Sequence, residues 1–118
     1  MIYLYGLAKC STCQKALAWL SDHGVACHLI DYRETPLSPQ ALCEYSRALG
    51  GWEALVNRAS MTWRQLSDVQ RQAVNDDQWL ALIAQFPTLI RRPLTVLADG
   101  TVISGFSEKK FKQYQDRM

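Results

Sequence analysis

The stretch that decides the fold of this 118-residue chain is Ile2-Tyr3-Leu4-Tyr5-Gly6-Leu7-Ala8-Lys9-Cys10-Ser11-Thr12-Cys13. It starts with a short apolar run of β type, which Gly6 stops. From Cys10 to about Asp22 the apolar residues fall on one helix face, at Cys13, Ala16, Leu17 and Leu20. The pattern predicts a strand followed by a helix whose first turn carries a Cys-X-X-Cys sequence.

The next residues extend this unit into a strand, a helix and a second strand. His23-Gly24 is typical of a helix end, because glycine is favoured just past the last turn. Residues 25–32, Val25 to Tyr32, are predicted to form a second strand. Two strands joined by a helix within about thirty residues are typical of a βαβ unit with parallel strands.

The rest of the chain predicts a helical middle and a β-hairpin near the end. Ser38-Pro39 is a helix start and Asn75-Asp76-Asp77 is another, which Pro87 ends. Residues 93–97 and 101–104 read as antiparallel strands around Asp99-Gly100, and Ser107 caps a last helix. We therefore expect one α/β domain over residues 1–118 with a thioredoxin-like arrangement. In it, βαβ and ββα parts form a mixed sheet, with a helical insertion at about 38–86.

Composition narrows the functional classes. A net charge of +2 is too small to favour nucleic acid or an anionic membrane as the main partner. No apolar run has the length of a membrane span, and the start of the chain lacks the pattern of a signal peptide. We expect a cytoplasmic protein, where four cysteines are reduced, catalytic or redox-sensing rather than structural disulfides.

The cysteine pair is the candidate reactive centre. A helix N-terminus offers unpaired backbone N–H groups and partial positive charge, and both favour a thiolate at Cys10. Lys9 and Lys15 add nearby positive charge. Cys13 falls on the apolar helix face, so it is expected to be buried. An exposed attacking thiol with a shielded partner suits thiol–disulfide exchange, with Cys10 as nucleophile and Cys13 as resolving thiol.

Other interpretations of the cysteines remain open. Cys13 fits a packed core position that never reacts. A zinc site would need further ligands besides the cysteine pair. The chain offers only His23 and His28, which with the pair make a poor ligand set, so no metal is expected. Cys27 and Cys43 are predicted to be small buried hydrophobes.

Arg91-Arg92-Pro93 precedes the third predicted strand and supplies further candidates. In this fold Arg92 lies next to Cys10, where a guanidinium lowers a thiol pKa and binds an oxyanion or carboxylate. Solvated surface charge is the alternative for Arg92, and it is a stronger alternative for the substrate-binding candidates Arg58 and Arg64. The remaining predicted substrate-binding residues are Ser11, Thr12 and Pro93. Thioredoxin-like proteins have a cis proline at this place, but the sequence alone does not establish a cis bond before Pro93.

Several segments together resemble the ArsC/Spx/YffB family over nearly the whole chain. They are Ile2-Tyr3-Leu4-Tyr5-Gly6, Cys10-Ser11-Thr12-Cys13-Gln14-Lys15-Ala16, Asn57-Arg58-Ala59-Ser60-Met61-Thr62-Trp63-Arg64, Pro87-Thr88-Leu89-Ile90-Arg91-Arg92-Pro93 and Gly105-Phe106-Ser107. The resemblance implies a thiol-dependent function centred on Cys10, with no bound cofactor.

Three functions follow from that resemblance. YffB-type members keep the Asn-Arg-Ala and Gly-Phe pieces and imply a glutathione-dependent thiol reductase, with glutathione or a protein thiol or disulfide as partner. Spx-type regulators carry a complete cysteine pair and imply redox-switched binding to the RNA polymerase α subunit. Arsenate reductases imply Cys10 attack on arsenate, but this chain has Asn57 and Gly105-Phe106 where they place arginines. Our leading prediction is the glutathione-dependent oxidoreductase.

Overall fold

The computed structural model describes all residues, 1–118, and its centre is a four-stranded mixed sheet in the order β2-β1-β3-β4. The strands are β1 (Ile2–Gly6), β2 (Cys27–Asp31), β3 (Leu94–Val96) and β4 (Val102–Ser104). Strand β1 pairs parallel with β2 and antiparallel with β3, which pairs antiparallel with β4. The predicted α/β class, with βαβ and ββα parts on a mixed sheet, is confirmed.

Six α-helices accompany the sheet: α1 (Ser11–Asp22), α2 (Pro39–Ala48), α3 (Trp52–Leu55), α4 (Met61–Arg64), α5 (Asp76–Gln85) and α6 (Glu108–Gln113). Short 3₁₀ turns lie at Gln70–Gln72, Pro87–Leu89 and Gln115–Arg117. Side chains cap four of the helices by accepting a first-turn backbone N–H, at Ser38, Ser60, Asn75 and Ser107. These local hydrogen bonds fix where the helices begin.

Strand β2 is shorter than the sequence pattern predicts. The backbone N–H of Val25 donates to the carbonyl of Leu20 at 2.8 Å, so Val25 completes the C-terminal turn of α1. Gly24 makes that turn possible with a φ of +70°, which residues with a side chain rarely adopt. The strand therefore starts only at Cys27.

The chain forms two compact units. The first contains residues 1–35 and 92–118, which include the sheet, α1 and α6. Its core packs the inner faces of α1 and the sheet around Phe111, whose ring meets Trp19 and Phe106 edge-on at 5.4 and 4.7 Å. The core residues are Ile2, Leu4, Ala16, Trp19, Leu20, Leu97, Ile103 and Phe111. This packing holds α1 against β1 and so fixes the position of the cysteine pair.

The second unit spans Pro36–Arg91 and contains the segment predicted as an insertion. Three near-parallel indoles stack in it, with Trp79 lying 6.5 Å from Trp52 and 5.9 Å from Trp63. The Trp52 indole N–H donates to Asp76 at 2.7 Å. Trp52 and Trp79 are buried core residues, whereas Trp63 is only half-buried. None of the protein's helices combines the length and the apolar character that a membrane span requires.

Candidate active site

Cys10 is the N-cap of α1, held there by the loop before it. Its backbone N–H donates to the Leu7 carbonyl at 3.0 Å, and its carbonyl accepts from Gln14 N–H at 2.9 Å. The Gln14 side chain also donates to the Ala8 carbonyl at 3.0 Å. The loop and the first helical turn therefore present the half-buried Cys10 thiol at the helix N-terminus.

The surroundings of Cys10 favour its thiolate. Partial burial acts to raise its pKa, but three sources of stabilisation outweigh burial and leave the pKa below 9.0. These are hydrogen bonding from the backbone and side chain of Cys13, the backbone N–H of Thr12, and the charge of Arg92. The partial positive charge of the helix N-terminus acts in the same direction, because it favours a thiolate over a thiol.

Cys13 is chemically the opposite of Cys10. It is fully buried, and burial is the main reason that its pKa rises from 9.0 to about 11. A hydrogen bond from the Leu7 backbone and the charge of Arg92 lower the pKa, while the neighbouring Cys10 raises it. At neutral pH Cys13 is therefore a thiol that donates toward Cys10.

Gly6 makes room for the Cys13 sulfur at the end of β1. A Cβ built on Gly6 would lie 2.6 Å from Cys13 Sγ, closer than any real contact. The backbone of Gly6 does not have a positive φ, so glycine is required here for space and not for conformation. The absent side chain lets α1 bring Cys13 directly against the end of the strand.

Arg92 and Pro93 enter the same unit before β3. The peptide bond between them is cis, and Pro93 is fully buried with its carbonyl accepting from Gly105 N–H at 2.8 Å. Arg92 is half-buried, and its charge acts on both Cys10 and Cys13. The structure thus brings together three predicted site residues, the two cysteines and Arg92.

The other predicted site residues lie in two places. Ser11 and Thr12 form the first turn of α1, where Ser11 is exposed and Thr12 half-buried. Arg58 and Arg64 are exposed and belong to the second unit. The Arg58 guanidinium lies 5.7 Å from the centre of the Trp63 ring, in cation–π range.

Tyr32 is a member of this cluster that sequence reasoning missed. It follows β2, is 1% exposed, and its hydroxyl has no hydrogen-bond partner of full geometry. Burial raises its pKa to about 12, while the Arg92 guanidinium beside it lowers the pKa. One signal was available: the carboxyl ends of parallel strands β1 and β2 meet at one edge, Gly6 opposite Asp31, and Tyr32 is the next residue.

The remaining cysteines and histidines do not join the site. Cys27 and Cys43 are only half-buried, so the prediction that they are buried is wrong. His23 stacks on Trp19 at 3.8 Å and its Nδ1 lies 2.7 Å from the Trp19 carbonyl, while His28 stacks on Tyr3 at 6.0 Å. No three His, Cys, Asp or Glu side chains cluster as a metal site would require.

Comparison with known proteins gives a consistent result. A family model described as the ArsC family matches residues 5–114. An uncharacterised protein of Haemophilus influenzae is 39% identical over 112 residues, covering 95% of this chain and 96% of its own. The global transcriptional regulator Spx of Streptococcus agalactiae is 29% identical over 118 residues, covering 99% of this chain and 85% of its own.

Solved structures agree with the sequence matches. The structure of a protein named YFFB superposes with a TM-score of 0.86 at 30% identity, covering 96% of this chain and 97% of that one. An arsenate reductase (ArsC) related protein from Brucella melitensis superposes with a TM-score of 0.74 at 31% identity, covering 97% and 93%. The fold is therefore the thioredoxin-like α/β fold of these proteins.

Proposed function

This chain belongs to the ArsC family, and from that premise we propose that it is a glutathione-dependent thiol–disulfide oxidoreductase with Cys10 as its nucleophile. The observation that carries the proposal is the contrast within the cysteine pair. Cys10 is accessible with a lowered pKa, whereas Cys13 is buried with a pKa raised to about 11. A reducing compartment, the cytoplasm, suits the four free cysteines.

The first step is attack of the Cys10 thiolate on one sulfur of a substrate disulfide. The substrate S–S bond breaks, a mixed disulfide forms with Cys10 Sγ, and the other substrate sulfur leaves as a thiolate that takes a proton from water. The first-turn N–H groups and Arg92 stabilise the attacking thiolate. Because the thiol of Cys13 donates toward Cys10, it also stabilises Cys10 sulfur when that sulfur later leaves as a thiolate.

Glutathione completes the cycle in the route that this geometry favours. Its thiolate attacks the substrate sulfur of the mixed disulfide, which releases Cys10 as a thiolate and forms a glutathione-substrate disulfide. That disulfide is then reduced by a second glutathione, which yields the substrate thiol and oxidised glutathione. The high pKa of Cys13 makes it a poor thiolate at neutral pH, so this monothiol route does not depend on it.

Cys13 offers a second way to resolve the mixed disulfide. Once Cys10 is bonded to substrate, its charge no longer raises the pKa of Cys13, although burial still does. Loss of the Cys13 proton to solvent and attack on Cys10 Sγ would then release the substrate thiol and leave a Cys10–Cys13 disulfide. Two glutathione molecules would reduce that disulfide.

Arg92 has a second part in this scheme. A guanidinium beside the nucleophile is suited to hold a carboxylate, and glutathione carries two. Pro93, Ser11 and Thr12 are the neighbouring residues that we propose line the substrate. Arg58 and Arg64 remain proposed substrate-binding residues of the second unit.

The test is turnover in an assay with glutathione, glutathione reductase and NADPH. The acceptors are bis(2-hydroxyethyl) disulfide and, separately, arsenate. We expect disulfide-dependent NADPH consumption that falls to background in Cys10→Ser and is partly retained in Cys13→Ser. Cys43→Ser is the matched control, since Cys43 is half-buried in α2 of the other unit, and it should keep wild-type turnover. Equal turnover in wild type and Cys10→Ser would contradict the proposal.

Two alternative functions can be tested. Spx relatives are similar over 99% of this chain, which supports a redox-switched regulator that binds the RNA polymerase α subunit through a Cys10–Cys13 disulfide switch. The test is titration with the isolated carboxy-terminal domain of the α subunit, in both redox states of the chain. An absence of binding in both states would exclude this function. Preference for arsenate over the disulfide in the assay above would instead favour an arsenate reductase.

A further inference from the structure

The Lys110 side chain ties the start of α6 to the end of β4. Its ammonium donates to the Ser104 carbonyl at 2.7 Å, while its backbone N–H donates to the Ser107 hydroxyl at 3.0 Å. The side chain is half-buried and takes part in none of the protein's ion pairs. The ammonium is therefore committed to a backbone carbonyl and not to a carboxylate.

The carbonyl that Lys110 holds belongs to a peptide group that is bound on both sides. The Gly105 N–H of the same peptide donates to the Pro93 carbonyl at 2.8 Å. The peptide bond is trans, so its C=O and N–H point in opposite directions, the N–H toward β3 and the C=O away from it. A charged donor on the carbonyl polarises the peptide and strengthens its N–H as a donor. The ammonium therefore supports the hydrogen bond that holds Pro93.

Strand register places Pro93 at the cysteine end of the sheet. Strands β1 and β3 are antiparallel, with Tyr5 opposite Leu94. The next pair in that register is Gly6 and Pro93. The missing Cβ of Gly6 is what makes room for the Cys13 sulfur. The Pro93 carbonyl is thus held beside the backbone against which the cysteine packs.

The other end of the β3–β4 hairpin serves as a comparison. There the Leu97 N–H donates to the Thr101 carbonyl, also at 2.8 Å. The Asp99 carboxylate accepts the Thr101 N–H at 2.9 Å, so residues of the turn itself hold this end. At the open end, the additional hold comes from α6 through the side chain of Lys110.

We propose that Lys110 is a positioning residue for the reactive cluster, which acts by clamping the Ser104–Gly105 peptide. The clamped peptide holds the Pro93 carbonyl, and it thereby keeps Arg92, the preceding residue, in place beside the cysteine pair. The charge of Arg92 favours the Cys10 thiolate, so a firm hold on this segment keeps that charge where the nucleophile needs it. The inference rests on the proposed function only for its purpose, because both hydrogen bonds belong to the resting protein.

Amide hydrogen exchange of the reduced protein, followed residue by residue with NMR, measures the clamp directly. Lys110→Met keeps most of the side-chain length but removes the donor. We expect the Gly105 amide to exchange about tenfold faster, the order that loss of one charged hydrogen bond implies, while the Leu97 amide keeps its wild-type rate. Lys110→Arg keeps a charged donor and should stay close to wild type. Lys109→Met removes the same charge from an exposed position of α6 and is the matched control.

A second measurement reports whether the clamp reaches the nucleophile. Cys10 is alkylated at pH 7 with iodoacetate, an anion, or with iodoacetamide, its neutral analogue, and its peptide is quantified by mass spectrometry. The ratio of the two rate constants reports the positive charge near the sulfur. Arg92→Gln should lower this ratio by about three- to tenfold, as the loss of one nearby cation implies. Lys110→Met should lower it by less, because Arg92 is still present but is held less firmly. The double variant should match Arg92→Gln alone, since both changes act through one guanidinium.

Four results would overturn the inference. An unchanged Gly105 exchange rate in Lys110→Met would show that the ammonium does not hold the peptide. Equal acceleration of Gly105 and Leu97 would indicate a general loss of stability and not a local clamp. A wild-type alkylation ratio in Lys110→Met would show that the clamp does not position the cluster. Multiplying effects in the double variant would show that the Lys110 charge acts on Cys10 by another route. None of these results depends on glutathione turnover, so failure of the proposed function is detected separately.

Discussion

The first turn of α1 holds two cysteine side chains in opposite environments, one at its tip and one on its inner face. At the tip, Cys10 is half-buried and meets the N–H groups of the helix start, and its pKa is lowered. On the inner face, three residues later, Cys13 is fully buried against Gly6 and its pKa rises to about 11. Position within one turn, and not residue type, lowers the pKa of one cysteine and raises the pKa of the other.

Adding a methyl group at Gly6 should disturb this contrast most. Gly6→Ala places a Cβ 2.6 Å from Cys13 Sγ, so the sulfur must move or the helix must shift. We expect the free energy of unfolding to fall by about 1–3 kcal/mol, the usual cost of overpacking a core. Urea unfolding of the reduced protein measures it.

The matched control for Gly6→Ala is the same change in a Cys13→Ala background. There the nearest remaining atoms are Leu4 Cδ2 at 3.3 Å and the residue 13 Cβ at 3.5 Å. Most of the cost should disappear, because the clashing sulfur is gone. A cost that is equal in both backgrounds would show that the sulfur does not occupy this space.

Alkaline pH should weaken the fold through Cys13. A folded-state pKa raised from 9.0 to about 11 gives stability that is fully present below pH 9 and is lost as pH rises through 11. The difference in unfolding free energy between wild type and Cys13→Ala should therefore shrink by an amount of the order of 2 kcal/mol across that range. Urea midpoints measured at pH 8 and pH 11 test it, and a constant difference would contradict the assigned pKa.

The smallest expected effects concern how Cys10 is tuned. Cys13 hydrogen bonding lowers the Cys10 pKa more than the charge of Arg92 does. Cys13→Ala removes only the side-chain part of that bonding, and both it and Arg92→Gln should raise the Cys10 pKa. Thiolate absorbance titration compares them, and a Cys10 pKa that falls in either variant would contradict this description.

The sequence was sufficient for what depends on local pattern. The βαβ unit, the caps at Ser38, Asn75 and Ser107, and the place of the cysteine pair at a helix start all follow from spacing and from residue preferences. These features depend on interactions between residues close in sequence, so a single segment is enough to predict them. The burial of Cys13 follows in the same way from its place on the apolar face.

Features that depend on register between distant segments were not predictable. The parallel βαβ pattern indicated that the ends of β1 and β2 share one edge, but the place of Tyr32 also depends on the register in which Asp31 lies opposite Gly6, and composition does not encode that register. The early start predicted for β2 is wrong for a local reason, since Val25 closes the turn after α1. The half-burial of Cys27 and Cys43 likewise depends on which neighbours pack against them.

The most direct test of the account is the pH dependence of alkylation at both cysteines, followed by mass spectrometry in one reduced sample. We expect Cys10 to react with iodoacetamide with a midpoint below 9.0, and Cys13 to stay protected until the pH approaches about 11. That result would establish the opposed environments on which the proposed mechanism depends. Equal midpoints, or faster reaction at Cys13, would contradict the assignment of Cys10 as the nucleophile.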